Sequence, residues 1–349
     1  MDCNETMNPI QKLKARLNKF GGVVARISLG SDDLKNVLRQ VKESLGILLK
    51  GTHRLIKLDR QVQILSKTQR DTIQDIRVSL GRIEHRQIAQ LDPLDIPANE
   101  FKVFSQWGED GIIQFLLRKI EVKSKTFVEF GVQNYTESNT RFLLINNNWS
   151  GLVLDGSEEN IYYIKKDPIY WKYNLKAVHA FITRENINQL ILDHGMTGEI
   201  GLLSVDIDGN DYWVWQSIDV ISPAIVIAEY NFRFGPEKAV AIPYNPDFVR
   251  SQAHPSMIYY GASLKALWQL GQQKGYVLVG SNSAGNNAFF IRKDLKPEGI
   301  PSVMPEEAYV AAQFRESRDS DGQLSYLSLA EEQQILATLP LVNLDTEHG

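Results

Sequence analysis

Cysteine is nearly absent: Cys3 is the only one in 349 residues, which excludes an internal disulfide and suits a reducing compartment. Long apolar runs are missing, and nothing approaches the roughly 20 residues that span a bilayer. The N-terminus has no uninterrupted apolar stretch of the kind that opens a secretory signal, because Lys12, Lys14, Arg16 and Lys19 break it up. A cytoplasmic location follows as the expectation. A glycine-rich G-x-G-x-x-G cradle is also missing, which argues against a pyrophosphate-bearing cofactor. Proline is scarce at the start, with Pro9 alone in residues 1–91. Hydrophobic and charged fractions of 43% and 23% are those of an ordinary globular chain with a sizeable core.

The net charge of −4 conceals an asymmetry: residues 1–91 hold 17 Lys/Arg against 9 Asp/Glu, and the remainder is correspondingly acidic. Such a split predicts two parts with different partners. In residues 10–26, Ile10, Leu13, Leu17 and Phe20 form an apolar stripe among basic residues. Peripheral contact with an anionic inner-membrane surface is one expectation for it; a solvated basic helix or tail is the other. From Leu34 the apolar residues Leu38, Val41, Leu45, Leu48 and Leu55 keep spacings of four and three, and Val62, Ile73, Ile76, Leu80 and Ile83 continue the register across a polar interruption at Asp59, Ser66 and Gln69. A 3.5-residue period predicts a coiled coil over residues 31–91 and self-association into a homo-oligomer. The alternative is an amphipathic helix packed on its own domain.

Pro93 and Pro97 mark residues 92–100 as a linker. Beyond it the period changes. A helix at 106–120 precedes strands at 126–131, 151–154, 178–182, 200–205 and 224–229. Helices at 138–146, 158–166, 184–194 and 212–217 separate them. A helix at 263–274 then leads to closely spaced strands at 276–280 and 288–292. Alternating strands and helices predict an α/β fold with a mostly parallel sheet, and the short last link requires an antiparallel hairpin. Five βα units closed by such a hairpin are the order of a class I methyltransferase sheet, a Rossmann-like arrangement over residues 101–299. A mixed tail at 300–349 carries a candidate helix at 306–316 and a turn at 319–322.

Open parallel sheets hold ligands at the carboxyl ends of their strands. The first strand ends in Glu129-Phe130-Gly131, with Asn134 in the following loop; the second ends in Asp155-Gly156-Ser157. Glu129 suits an ammonium or ribose, and Asp155 suits ribose hydroxyls, although Asp155 or Ser157 would equally cap a helix. The fourth strand ends in Asp206-Ile207-Asp208-Gly209-Asn210-Asp211 and the fifth in Glu229-Tyr230-Asn231. Close carboxylates repel unless compensated. Asp206, Asp208, Glu229 and Asn231 therefore form a candidate site for Mg²⁺ or Mn²⁺; helix caps and solvated acids are the plain alternative. His254 is a candidate general base.

Three segments carry a family resemblance: Ser105-Gln106-Trp107-Gly108-Glu109-Asp110-Gly111-Ile112, Phe127-Val128-Glu129-Phe130-Gly131 and Leu203-Ser204-Val205-Asp206-Ile207-Asp208-Gly209. With Tyr260-Gly261-Ala262-Ser263-Leu264 and Gly285-Asn286-Asn287-Ala288-Phe289-Phe290, the chain over about residues 101–295 resembles the FkbM-type methyltransferase family. The resemblance implies S-adenosylmethionine as cofactor and O-methylation of a small-molecule or glycan acceptor. It places Glu129 and Gly131 on the cofactor and Asp155 on its ribose. Asp206 and Asp208 would lie between cofactor and acceptor, as part of the catalytic set, and Gln106, Glu109 and Asp110 near the cleft. Nucleic acid is not an expected partner. A metal-dependent glycosyltransferase using Asp206 and Asp208, and a non-catalytic coiled-coil scaffold, are the competing readings.

Overall fold

A computed structural model describes residues 32–345. The basic stripe at 10–26 and Cys3 lie outside the described residues. The chain divides into two units between Ile73 and Gln74. Residues 32–73 are helical, within a helix α1 spanning Asp32–Leu91. No described helix is long and apolar enough to cross a membrane.

In the second unit, the last turns of α1 use one stripe to dock. Val78 is buried with Phe101, Val103, Phe104 and Phe142, and Ile88 packs at the edge of the same cluster. Gly81 permits the close approach, since a Cβ there would stand 2.4 Å from Val103 Cγ2. After the linker come α2 (Glu109–Lys119), β1 (Thr126–Phe130), α3 (Arg141–Asn146), β2 (Ser150–Asp155), α4 (Glu158–Lys166) and α5 (Ile169–Lys172). These are followed by β3 (Leu175–His179), α6 (Ile187–Asp193), β4 (Gly198–Val205), α7 (Asp211–Ser217) and β5 (Ile221–Glu229). The remaining elements are β6 (Val240–Ala241), α8 (Arg250–Ala253), α9 (Leu264–Gln273), β7 (Tyr276–Ser281), β8 (Asn287–Arg292), α10 (Pro305–Ala308), α11 (Leu329–Ala337) and β9 (Val342–Asn343).

Seven strands form one sheet in the order β3-β2-β1-β4-β5-β8-β7. Strands β1 to β5 are parallel, and β8 runs antiparallel to both β5 and β7. This is the expected Rossmann-like arrangement. Both faces are covered by apolar clusters, one built on Val128, Leu203, Val226 and Phe290, the other on Phe127, Leu202, Ile225 and Phe289. Strand order reverses between β1 and β4, so their carboxyl ends diverge and leave a crevice there.

Two expected segments differ. The third strand lies at Leu175–His179, not 178–182, because Lys176 and His179 face solvent at the sheet edge and dilute its apolar signal. The expected helix at 306–316 is one turn, Pro305–Ala308. Residues after it run extended, tied by Tyr309 Oη donating to Phe232 O and by Tyr230 Oη donating to Val310 O. The turn at 319–322 is present, closed by Gly322 N donating to Asp319 O. From there the chain returns to the domain: α11 brings Glu332 to Arg233, and β9 pairs with β6.

Candidate active site

The crevice at the β1/β4 switch is a cleft of about 250 Å³, lined by Gly131, Gln133, Asp155, Gly156, Asn160, Ala180, Phe181, Ile182, Asp206, Ile207, Asp208, Asn210 and Phe248. The tips of β1 and β4 meet through Gly131. Its φ is +68°, and a Cβ would fall 1.8 Å from Asp206 O. Only glycine fits that backbone and that contact. Asp155, at the end of β2, lies at the cleft wall with Oδ2 accepting from Gln133 N at 2.6 Å. Its Oδ1 accepts from Ser157 N at 2.8 Å and Asn160 Nδ2 at 3.0 Å. Ser157 caps α4 by accepting from Asn160 N, so its side chain serves the helix. Phe181, half exposed just after β3, supplies a flat apolar surface beside Asp155.

Glu129 is not at the cleft. Its carboxylate is buried, with Oε2 accepting from Ser138 Oγ at 2.7 Å and from the Thr140 hydroxyl, and Oε1 from Asn139 N at 2.8 Å. Burial pushes its pKa up against those donors. It anchors the loop after β1 and does not line the cleft. Asn134 is likewise local, its Oδ1 accepting from Thr136 N and Oγ1. Gln106 is exposed and absent from the lining. Its neighbours are structural. Asp110 Oδ2 gathers the amides of Val103, Phe104 and Ser105 at 2.7–2.8 Å, and burial raises its carboxyl to about 6. Glu109 Oε1 accepts from Asn282 and Asn287 of the β7–β8 hairpin.

At the tips of β4 and β5, one carboxylate oxygen from each of Asp206, Asp208 and Glu229 lies within 4.8 Å of the others. Burial, then repulsion from Asp208 and Asp211, pushes the Asp206 carboxyl well above its ordinary range. Burial and the same acids, Asp206 first, do so for Glu229. Glu229 Oε2 is buried without a hydrogen-bond partner among the described residues. Asp211 belongs to the scaffold: its oxygens accept from Ile207 N at 2.7 Å and Gly209 N at 2.9 Å and shape the 206–209 turn. Asp208 stands at φ +55° and pairs with Arg250, which also holds Glu316 at 2.8 Å and lies 3.8 Å over the Tyr260 ring.

Asn231 is no ligand of this cluster. Fully buried, it donates to Ile258 O at 2.9 Å and Tyr260 O at 3.1 Å, and accepts from Arg233 N at 3.2 Å. Asn231→Ala is expected to lower stability by roughly 2–4 kcal/mol through unpaired buried carbonyls and an amide, measured by urea unfolding. His254 also stands apart. Its ring Nδ1 is tied to Ser256 Oγ at 2.7 Å, and it does not line the cleft.

Asn160, Phe181, Phe248, Arg250 and Glu316 were not marked by sequence reasoning. Phe181, an aromatic directly after a strand, carried a usable signal; Arg250 and Glu316 carried none.

No protein-family model matches the chain, and no curated protein matches it. Among solved structures, the N-terminal domain of EvdMO1 with SAH bound is 12% identical, covering 60% of this chain and 94% of that one, with TM-score 0.36. The O-methyltransferase from Bacillus cereus in complex with SAH is 13% identical, covering 60% and 89%, with TM-score 0.34. A SAM-dependent methyltransferase from Aquifex aeolicus is 10% identical, covering 60% and 98%, with TM-score 0.33.

Proposed function

We propose that this chain is an S-adenosylmethionine-dependent O-methyltransferase acting on a polar acceptor, a sugar hydroxyl in a glycan pathway being the expected class. One observation carries the reading: a cleft at the β1/β4 switch point brings together Gly131, Asp155, Phe181 and Asp206. In it, Asp155 offers acceptors for ribose hydroxyls, Phe181 a face for the base, and Gly131 backbone access for the amino-acid end. The motif resemblance to the FkbM-type family supports the sugar acceptor.

Methyl transfer is one in-line displacement: the acceptor oxygen bonds to the methyl carbon as the sulfur–carbon bond breaks, and the sulfur keeps that electron pair. Positioning supplies most of the acceleration. The acceptor hydroxyl must also lose its proton. Half-buried Asp206 and buried Glu229 repel one another, which makes whichever of them is ionised a stronger base than a solvated carboxylate. The cluster fits a hard divalent cation, since three carboxylates converge and Glu229 Oε2 has no hydrogen-bond partner among the described residues. Mg²⁺ or Mn²⁺ held by Asp206, Asp208 and Glu229 would polarise the acceptor hydroxyl.

Thermal shift with S-adenosylmethionine, S-adenosylhomocysteine and nucleotide sugars, with and without Mg²⁺ or Mn²⁺, tests the reading. S-adenosylhomocysteine at a hundred times its Kd should stabilise the fold by about 2.7 kcal/mol. Stabilisation only by a nucleotide sugar with Mn²⁺ would replace this assignment with glycosyl transfer.

A further inference from the structure

The helix α1 carries two apolar stripes, and the domain uses only one. Val78, Gly81, His85 and Ile88 turn toward the domain. Ile73, Ile76, Leu80 and Ile83 lie on a different face and are each at least half exposed. The same register holds toward the N-terminus at Val41, Leu48, Leu55 and Val62, where Leu48 and Leu55 are 66% and 67% exposed. Packing on its own domain therefore does not account for the seam. Ile56, Leu58 and Leu65 are exposed beside Leu55 and Val62, so the strip is widest near its centre.

We propose that a second copy of this chain covers this seam as an antiparallel helix pair, with a two-fold axis near Ile64. The seam's polar residues select the partner and its direction. In a parallel, in-register pair, Asp59 would meet its own copy, placing two carboxylates in an apolar interface at high cost. Reversal about residue 64 sets Asp59 against Gln69, whose amide donates to it. Within one chain, Asp59 Oδ2 already accepts from Gln63 Nε2 at 3.0 Å, which leaves Oδ1 for the partner. The same reversal pairs Leu55 with Ile73 and, by the two-fold, Ile73 with Leu55, so apolar layers close the polar centre at both ends. The interface is then isologous, each helix presenting the same face to the other.

Sedimentation equilibrium of the full chain at tens of micromolar should give the mass of two chains. Leu55→Glu/Ile73→Glu should give one chain, with the thermal midpoint of the α/β domain unmoved. In a Cys3→Ser background, oxidising a mixture of Leu55→Cys and Ile73→Cys proteins should cross-link one to the other, while Leu55→Cys alone stays uncoupled. A monomeric or larger wild-type species would overturn the proposal, as would cross-linking of Leu55→Cys to itself.

Discussion

Replacing Gly131 with alanine should cost about 2–5 kcal/mol and abolish cofactor binding. The figure combines a side chain forced into the left-handed region with overpacking against backbone. The added methyl would overlap Asp206 O, a backbone atom that cannot rotate away. Relief requires the tips of β1 and β4 to separate, although the two strands are bonded in register from Phe127 to Glu129. Gly131 N also donates to Leu154 O at 3.0 Å, so movement would disturb the start of the Asp155 loop. The injury therefore reaches both walls of the cleft. Calorimetric titration with S-adenosylhomocysteine should show no heat, and the thermal midpoint should fall by roughly 2–4 °C per kcal/mol lost. Gly156→Ala is a control, because a Cβ there meets only the Phe181 side chain, at 3.6 Å. Equal effects of the two substitutions would refute the claim that backbone contact is responsible.

Asp206→Asn should reduce methyl transfer by about 10²–10⁴-fold, the range associated with losing a positioned proton acceptor, and should nevertheless stabilise the fold at alkaline pH. The sign follows from linkage. Asp206 and Glu229 hold their protons more tightly folded than unfolded, since burial and neighbouring acids raise both. Their protonated forms are fully favourable below about pH 4, where the unfolded carboxyls also keep their protons. As pH rises, the unfolded chain releases protons first, and stability declines until the folded pair has ionised. Asparagine removes part of that penalty, so the variant's advantage in thermal midpoint should widen with pH. Added Mg²⁺ or Mn²⁺ should narrow the gap by stabilising the wild type alone. A midpoint difference independent of pH would show that the pair is not under electrostatic strain.

The sheet was legible because its central strands are runs of Val, Ile, Leu and Phe buried on both faces, bounded by Gly and Asp. Leu202, Leu203 and Val205 in β4 and Ile225, Val226 and Ile227 in β5 are of this kind. The edge strand at Leu175–His179 was misplaced because one of its sides faces water. Acids at strand ends were equally visible, and Asp155, Asp206, Asp208 and Glu229 do gather at the carboxyl edge. Their division of labour was hidden. Whether Glu129 points into the cleft or folds onto Ser138, Asn139 and Thr140 is decided by a loop whose path no local pattern announces. Asn231 is taken by carbonyls 27 and 29 residues further on. Arg250 and Glu316 meet only through tertiary structure, 66 positions apart in the chain.

The return of the last segment to the sheet sets an order of events during synthesis. Arg233 has a side chain with no solvent exposure, and the acids that hold it, Glu316 and Glu332, lie 83 and 99 residues downstream. Arg250 likewise has Glu316 among its partners. A nascent polypeptide that has released β8 from the ribosome owns the seven strands of the main sheet and every side chain of the cleft, yet still lacks both acids that hold Arg233 and the Glu316 that joins Asp208 on Arg250. Completion of the sheet's carboxyl edge thus waits for residues 316–332.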